Sequence, residues 1–331
     1  MTAAIQAKDW LHFIDREYLA SFIPEGGSAI KFAVPEDESL RHDLMDGLCA
    51  IAERSGFFIV RINAAETKVN MVDEIFFRTA QQVPWRILSQ RILAKLAGES
   101  GYAWIDGEEE PLYLRLAGHN RVDPQLLLLD LKKAVANKVF NRRDLSRDFR
   151  VAMTHLCLAE LSGGADGLMT TSILIDWLTG RNKAVSAVKS FNIFRKINRH
   201  SARYCFESML HWIKFSGYSG TALVLDVQRV MVTKKKNARD QSIFYSKAGV
   251  LDSYEVLRQF IDSADRLEAC FIAVVPALSF LEDRDRGIGV YEALKFRIFD
   301  EVRDRRLVNP MASLARIAIA AEGASLDGNR D

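Results

Sequence analysis

The sequence has no apolar run that approaches the roughly 18 residues a helix needs to cross a membrane. Its beginning, MTAAIQAKDWLHFIDREYLASFI, carries charges throughout and has no uninterrupted apolar core of the kind found in secretion signals. These two absences favour a cytoplasmic protein that makes no membrane contact.

Cysteine and histidine are scarce, and their spacing never matches that of metal ligands. The four cysteines are far apart, each in an apolar stretch, which predicts buried free thiols: Cys49, Cys157, Cys205 and Cys270. None of the six histidines has metal-ligand spacing to another histidine or to a cysteine, so we predict no metal site. A GxSxG nucleophile motif is also absent.

Charge of one sign is not in large excess. The 45 basic and 43 acidic residues leave a net charge of +2, so bulk charge favours no nucleic-acid partner and only local patches can do so. Hydrophobic residues make up 49% of the chain, enough for a sizeable core in one large or two smaller domains.

Short, fully apolar runs alternate with segments of helical periodicity. The runs AIKFAV, FFIVRI, TALVLD and CFIAVV read as strands buried on both faces, and MASLARIAIA is a candidate last strand. This pattern predicts an α/β fold with a parallel sheet flanked by helices. Residues 66–215 contain no comparable strand and are predicted to form a large helical insertion. Within them, residues 99–124 and the stretch LSGGADGLMTTS are predicted to be loops.

The predicted organisation along the chain follows from these patterns. We expect an N-terminal helical segment over residues 1–28 and the first part of the sheet domain over residues 29–65. The helical insertion of residues 66–215 comes next. The second part of the sheet domain covers residues 216–320, and residues 321–331 form a flexible tail.

The stretch PEDESLRH, residues 35–42, joins the first strand to a helix and contains no glycine. A helix N-terminus binds anions, because its first amides lack partners and its dipole is positive there. Here Glu36, Asp37, Glu38 and Ser39 are placed to satisfy that end internally, with Asp37 or Ser39 as the cap. Taken alone, this is a capped helix following a strand.

Several segments, in their order along the chain, resemble one protein family. They are GGSAIKFAV, GFFIVRINAAET, TALVLDVQRVM, CFIAVVPALSFLED and RGIGVYEAL. Together they resemble the bacterial P-loop ATP-binding proteins associated with BREX phage defence, of the AAA+ and STAND type, over residues 25 to 320. The resemblance implies a P-loop NTPase-like sheet and a role in a defence complex.

The chain departs from the family's pattern at both nucleotide motifs. By position, Arg41 stands where the family has the phosphate-binding lysine, and His42 stands where it has the threonine or serine. The degenerate phosphate-loop positions are Pro35, Glu36, Asp37, Glu38, Ser39, Leu40, Arg41 and His42. Asp226 matches the magnesium-orienting aspartate, but Val227 replaces the catalytic glutamate that follows it. The resemblance then implies a pseudo-ATPase without ATP or magnesium, in which Arg41 or the amides of the loop pair with Asp226.

Basic stretches are candidate contacts for nucleic acid or for an acidic partner, with a solvated face as the ordinary alternative. One stretch is interleaved with Phe191 and Phe194; the candidate residues are Lys189, Arg195, Lys196, Arg199, Arg203, Lys234, Lys235, Lys236 and Arg239. In RDRGIG, Arg284 or Arg286 is a candidate arginine for a neighbouring subunit's nucleotide, as in AAA+ assemblies. The alternative there is a loop with internal ion pairs.

The predicted function is that of a non-catalytic structural or regulatory subunit of a bacterial anti-phage complex, in contact with other subunits and with an active paralogous ATPase. One alternative is a working ATPase that uses Arg41 on the phosphates and Asp226 on magnesium. A second alternative is a DNA-binding component of the same system.

Overall fold

The computed structural model of the chain describes residues 4–107, 111–182, 184–233, 241–299 and 309–318. The chain divides into two compact units. The sheet unit comprises Met1–Glu66, Ala222–Asp265 and Cys270–Asp331, and the helical unit comprises Thr67–Thr221 and Arg266–Ala269.

The described residues form one parallel sheet of six strands. The strands are β1 (Ala4–Gln6), β2 (Ser28–Pro35), β3 (Phe58–Asn63), β4 (Thr221–Asp226), β5 (Cys270–Val275) and β6 (Leu314–Ala318). Their order across the sheet is β1-β6-β2-β5-β4-β3. In register, Ser28 of β2 lies opposite Cys270 of β5, and Phe32 of β2 lies opposite Leu314 of β6.

Helices connect and cover these strands. In chain order they are α1 (Ala7–Ile14), which continues as a π-helical stretch over Asp15–Phe22, α2 (Glu38–Arg54), α3 (Val72–Ala80), α4 (Trp85–Glu99), α5 (Leu112–Asn120), α6 (Pro124–Val135), α7 (Arg147–Ser162), α8 (Gly164–Leu178), α9 (Ala202–Phe215), α10 (Lys247–Asp262), α11 (Ser279–Glu282) and α12 (Glu292–Ile298). A second π-helical stretch, Ala136–Phe140, extends α6.

Burial along the strands explains the kind of sheet that forms. Every residue of β4 and β5 is buried, so side chains pointing to both faces are covered. Parallel sheets have this property because helices cover both faces. The predicted α/β class with a P-loop NTPase-like parallel sheet is confirmed.

The helical unit is organised around α7, which contacts α4, α5, α6, α8 and α9. Phe149, Leu156 and Cys157 on this helix have no exposed surface. The Phe149 ring meets the Trp85 ring edge to face, with 6.1 Å between the ring centroids. A helix that buries residues toward several neighbours in this way forms the core of its unit.

Two segments predicted to be loops are helical. Helix α5 buries Leu112, Leu116 and Ala117, a helical spacing hidden by the glycine and acidic residues before it. Only Gly163 separates α7 from α8, because this residue adopts a φ of 61° that turns the chain at once. A Cβ on Gly163 would lie 3.1 Å from the Cα of Pro111, so side chains are unfavourable there on two counts.

Residues 1–28 were predicted to form a helical segment, but the described part of this segment also contains a strand. Ala4–Gln6 forms β1 and pairs in parallel with Arg316–Ala318 of β6. Three residues are too few to show the period of a strand, and the strand depends on a partner from the other end of the chain. Helix α10 begins at Lys247, because Ser246 accepts a hydrogen bond from the Gly249 amide and caps it.

The four cysteines are free and buried, as predicted. Burial raises the pKa of the Cys157, Cys205 and Cys270 thiols to about 12. Within the described part of the chain, no helix is long and apolar enough to span a bilayer.

Candidate functional site

The junction between β2 and α2 is very short. Strand β2 ends at Pro35 and α2 begins at Glu38, so only Glu36 and Asp37 lie between them. The Glu36 amide donates to the carbonyl of Ile317 at 3.0 Å and continues the pairing of β2 with β6. The Glu36 carboxylate accepts from Arg316 at 3.2 Å. Glu36 is therefore bonded to β6 through both its backbone and its side chain.

Asp37 caps helix α2. Its Oδ1 atom accepts from the Leu40 amide at 2.8 Å and from the Ser39 hydroxyl at 2.8 Å. Of the two predicted caps, Asp37 is therefore the one that binds the helix amide, and Ser39 supports its carboxylate. The Leu40 amide, followed by the Ser39 hydroxyl, lowers the pKa of the Asp37 carboxyl.

The cap predicts a measurable effect on stability. We expect the Asp37→Ala, Ser39→Ala double variant to lower the melting temperature by about 2–4 °C, because α2 loses its cap. Asp37→Asn keeps an acceptor oxygen and serves as the matched control, with a melting temperature close to that of the unchanged protein at pH 7. An equal loss in both variants would show that the acceptor is not what matters.

The cap also has a predicted pH dependence. Folding lowers the pKa of Asp37, so its contribution is present above the unfolded pKa of about 3.9 and is lost as the pH falls through the lower folded value. Scanning calorimetry from pH 7 to pH 2 measures this, and Asp37→Asn should flatten the acidic part of the profile.

Arg41, in the first turn of α2, is buried and points to the carboxyl end of β4. Its side chain is 5% exposed, and its Nη1 atom donates to Oδ2 of Asp226 at 2.5 Å. Its Nε and Nη2 atoms bind the two carboxylate oxygens of Glu38. The predicted contact between Arg41 and Asp226 is confirmed, and the guanidinium bridges two carboxylates.

The remaining lone pairs of Asp226 also have donors. Oδ2 accepts from the side chain of Asn63 at 3.3 Å, and Oδ1 accepts from the Gln228 amide at 3.1 Å. The Gln228 side chain in turn donates to Glu38. We call these five residues the Arg41 cluster: Glu38, Arg41, Asn63, Asp226 and Gln228.

The charges in the Arg41 cluster stabilise one another. Burial acts to lower the pKa of the Arg41 guanidinium, but Glu38 and Asp226 outweigh it and raise that pKa overall. The hydrogen bond from Arg41, with its charge, lowers the pKa of Glu38. Breaking the cluster would leave a carboxylate at the end of a buried strand without its cation, which is unfavourable.

The geometry at this junction differs from that of a phosphate-binding loop. Such a loop needs several residues with free amides, usually glycines, to wrap around the phosphate oxygens. Here the Glu36 and Leu40 amides already have acceptors, and the Arg41 amide donates to the carbonyl of Asp37 at 3.3 Å. Pro35 has no amide hydrogen. The residues present therefore do not fit a triphosphate in this arrangement.

The position after Asp226 offers no general base. Val227 is 4% exposed, and its amide donates to the carbonyl of Val275 at 3.0 Å. His42 lies in the second turn of α2, with its Nδ1 atom 3.0 Å from the carbonyl oxygen of Glu38. Among the described residues, no three His, Cys, Asp or Glu side chains are grouped as metal ligands would be.

Asn63 and Gln228 are members of the Arg41 cluster that we did not predict. Asn63 ends β3, next to β4 in the sheet, and the carboxyl ends of parallel strands meet at one edge. A polar residue closing the apolar run FFIVRI was the available signal for Asn63. Gln228 lies two residues after Asp226, but nothing in its own neighbourhood distinguishes it.

The two arginines of RDRGIG have different environments. Arg286 is 6% exposed, and its Nη1 atom lies 3.0 Å, 3.2 Å and 3.4 Å from the carbonyl oxygens of Tyr245, Val230 and Val232. This places Arg286 inside the sheet unit rather than facing a neighbour. Arg284 is exposed.

The basic candidates lie in separate parts of the chain. Lys189, Arg195, Lys196 and Arg199 are exposed on the helical unit, and Arg203 is half-buried on α9. Lys234, Lys235, Lys236 and Arg239 lie outside the described residues. The first group belongs to the helical unit, and the Arg41 cluster belongs to the sheet unit.

The parallel sheet, with an aspartate ending a buried strand beside a strand–helix junction, defines a P-loop NTPase-like protein. The family described as BREX system ATP-binding protein BrxC/D matches residues 132–320. Because this match covers more than half of the 331 residues, the chain belongs to that family. Membership connects the chain with a phage-defence system. No curated protein and no solved structure shows a significant match to it.

Proposed function

We propose that the chain is a pseudo-ATPase, a family member that neither binds nor hydrolyses ATP and acts as a structural or regulatory subunit of a phage-defence complex. The observation that carries this proposal is the contact of Arg41 with Asp226. It joins the phosphate-loop position directly to the magnesium position, so that a protein cation stands where a lysine and a metal ion would act together.

The Arg41 cluster makes the sheet unit independent of a ligand. In a nucleotide-bound P-loop protein, the phosphates and the metal satisfy the helix N-terminus and the aspartate. Here Asp37 satisfies the helix end and Arg41 satisfies Asp226. The fold then keeps its geometry without a nucleotide, which suits a subunit whose task is to present a surface.

The competing function is an ATPase that uses Arg41 on the phosphates. That reading requires Arg41 to leave both Glu38 and Asp226, and it places the carboxylates of Glu36, Asp37 and Glu38 near a triphosphate. Repulsion at such short range is unfavourable unless a metal ion compensates. The contacts of Arg41 therefore support the pseudo-ATPase.

Binding of Mg-ATP distinguishes the two readings. We expect 5 mM Mg-ATP to leave the melting temperature unchanged, whereas a ligand at about 100 times its Kd stabilises a protein by about 2.7 kcal/mol. For a protein of this size, that corresponds to a rise of several degrees. Differential scanning fluorimetry measures the shift, with Mg-AMP as the control for non-specific effects. A rise with Mg-ATP alone would refute the proposal.

The partner we propose is an active ATPase of the same defence system. The exposed Arg284 is the remaining candidate for a neighbour's nucleotide, since Arg286 has internal acceptors. We propose a cytoplasmic location, where such a complex meets phage DNA. Co-purification of the tagged chain with the products of neighbouring genes tests the partnership. If Arg284 acts on the partner's nucleotide, the Arg284→Ala variant should no longer stimulate the partner's ATPase activity.

A further inference from the structure

A stretch of the helical unit carries basic residues without any acidic residue among them. From Trp177 to Phe206 the sequence contains no aspartate or glutamate. In the same stretch lie Arg181, Lys183, Lys189, Arg195, Lys196, Arg199 and Arg203. Such a separation is unusual in a chain whose basic and acidic residues number 45 and 43. It creates a locally positive surface on a protein of nearly neutral net charge.

The backbone of this stretch is held in place by buried contacts. Val188 and Ile193 have no exposed surface and Ile197 is 7% exposed, so the chain is anchored on both sides of Phe194. The indole of Trp177 donates to the carbonyl of Arg195 at 3.3 Å. A ligand bound here would therefore meet a surface that is already ordered, which lowers the entropic cost of binding.

A second anchored turn follows directly. The side chain of Asn198 accepts from the amides of His200 at 3.0 Å and Ser201 at 3.2 Å, and α9 begins at Ala202. Arg199 and His200 are exposed at this turn. The turn thus holds further positive charge at the start of a helix, where the backbone amides also favour an anion.

The exposed cations in this stretch are not neutralised by the protein. Within the described part of the chain, Lys189, Arg195, Lys196 and Arg199 take part in no ion pair, and the nearest pair along the chain joins Arg181 to Asp176 at 4.0 Å. Lysines and arginines on an ordinary solvated face are interspersed with acidic partners, as Arg147 is with Asp148. Here four exposed cations without an acidic partner lie within eleven residues of the chain, and such cations are available to neutralise phosphates.

Two aromatic rings are exposed among these cations. Phe194 is 55% exposed beside Arg195, and Tyr204 is 55% exposed beside Arg203. A ring left more than half exposed loses much of the free energy of burial that it would gain in a core. Exposed rings next to cations are the arrangement on which the bases of single-stranded nucleic acid stack.

We propose that the segment Lys189–Tyr204, here called the basic surface, binds single-stranded nucleic acid. The cations contact the phosphates, and Phe194 and Tyr204 stack on bases. Single strands fit better than a duplex because duplex bases are already stacked and their faces are covered. An acidic protein partner would satisfy the cations but would give the two rings no particular role. This inference is independent of the pseudo-ATPase proposal, since it involves no nucleotide site.

The test measures binding of a fluorescent oligothymidylate of about 16 nucleotides to the full chain by anisotropy. We expect Phe194→Ala and Tyr204→Ala each to weaken binding about tenfold, without changing the dependence of affinity on salt. Each phosphate contact of a single strand contributes about 0.7 to the slope of log K against log [salt]. Replacing Arg195 and Lys196 together by alanine removes two such contacts and should reduce the slope by about 1.4. Phe296→Ala is the matched control, because Phe296 is 73% exposed on the sheet unit and should leave binding unchanged.

Other outcomes would overturn the proposal. Equal competition by polyglutamate, with Phe194→Ala and Tyr204→Ala unchanged, would identify an acidic protein surface as the ligand. If duplex DNA bound as tightly as the single strand, stacking of Phe194 and Tyr204 on unpaired bases would be contradicted. No binding at 50 mM salt would exclude nucleic acid as the ligand of the basic surface. Circular dichroism of each variant establishes that a loss of binding is not a loss of folding.

Discussion

Replacing Arg41 by alanine is expected to destabilise the protein by about 3 kcal/mol. The change leaves the Asp226 carboxylate at the end of a buried strand without its cation, although Asn63 and the Gln228 amide still donate to it. Replacing both residues, as in Arg41→Leu with Asp226→Leu, removes the uncompensated charge and should cost less than the sum of the single changes. Urea unfolding of the four proteins in this double-mutant cycle gives the coupling, which we expect to be about 2 kcal/mol.

Glu38→Gln is the matched control for this cycle. The Glu38 side chain is 55% exposed, so its pair with Arg41 is screened and should contribute less than about 1 kcal/mol. Additive effects of the Arg41 and Asp226 changes would contradict a structural pair. If Glu38→Gln lowered the free energy of unfolding as much as Arg41→Ala does, the exposed Glu38 rather than the buried Asp226 would be the partner through which Arg41 stabilises the fold.

Removing Arg286 is expected to destabilise the protein by about 2–4 kcal/mol, the second large effect. Its guanidinium donates to the backbone carbonyls of Val230 and Tyr245, which both lie between β4 and α10 in the sheet unit. In Arg286→Ala these buried acceptors lose a charged donor, and a space opens where the side chain was. The unfolding midpoint in urea measures the loss.

Arg284→Ala provides the comparison, since Arg284 is exposed two residues earlier. We expect its stability to lie within about 0.5 kcal/mol of the unchanged protein. If Arg286→Ala proves equally harmless, the carbonyl contacts of Arg286 contribute nothing to folding, and a role outside the sheet unit would have to be reconsidered.

The strands were predictable because their signal is local and strong. AIKFAV, FFIVRI, TALVLD and CFIAVV became β2, β3, β4 and β5 with ends shifted by at most one residue. Strands β4 and β5 are buried on both faces and read as continuous apolar runs. Strand β3 was predicted to be buried on both faces as well, but it lies at one end of the strand order and leaves Arg61 and Asn63 exposed. The contact of Arg41 with Asp226 was predictable for a related reason, since a buried carboxylate needs a donor and the short junction offered one cation.

What was missed depends on partners distant in sequence or on a single backbone angle. Strand β1 is stabilised by β6, about 310 residues later, so its own three residues carry no pattern. The start of α8 depends on the φ of Gly163, whereas the composition of the stretch LSGGADGLMTTS predicts a loop. Likewise, Asn63 joins the Arg41 cluster only because β3 lies beside β4, a neighbourhood set by the strand order.

That strand order has a consequence for synthesis on the ribosome. Strand β6 lies between β1 and β2, so the first two strands of the chain have no common partner until the last described strand has emerged. Strands β3 and β4 are neighbours in the sheet, but the helical unit separates them along the chain. Until Leu314–Ala318 has left the ribosome, β2 therefore keeps an open edge of unpaired amides and carbonyls, which favours pairing with another chain. A truncation before Leu314 would make that nascent state permanent, because β2 would keep an exposed edge and β1 would have no β6 to pair with.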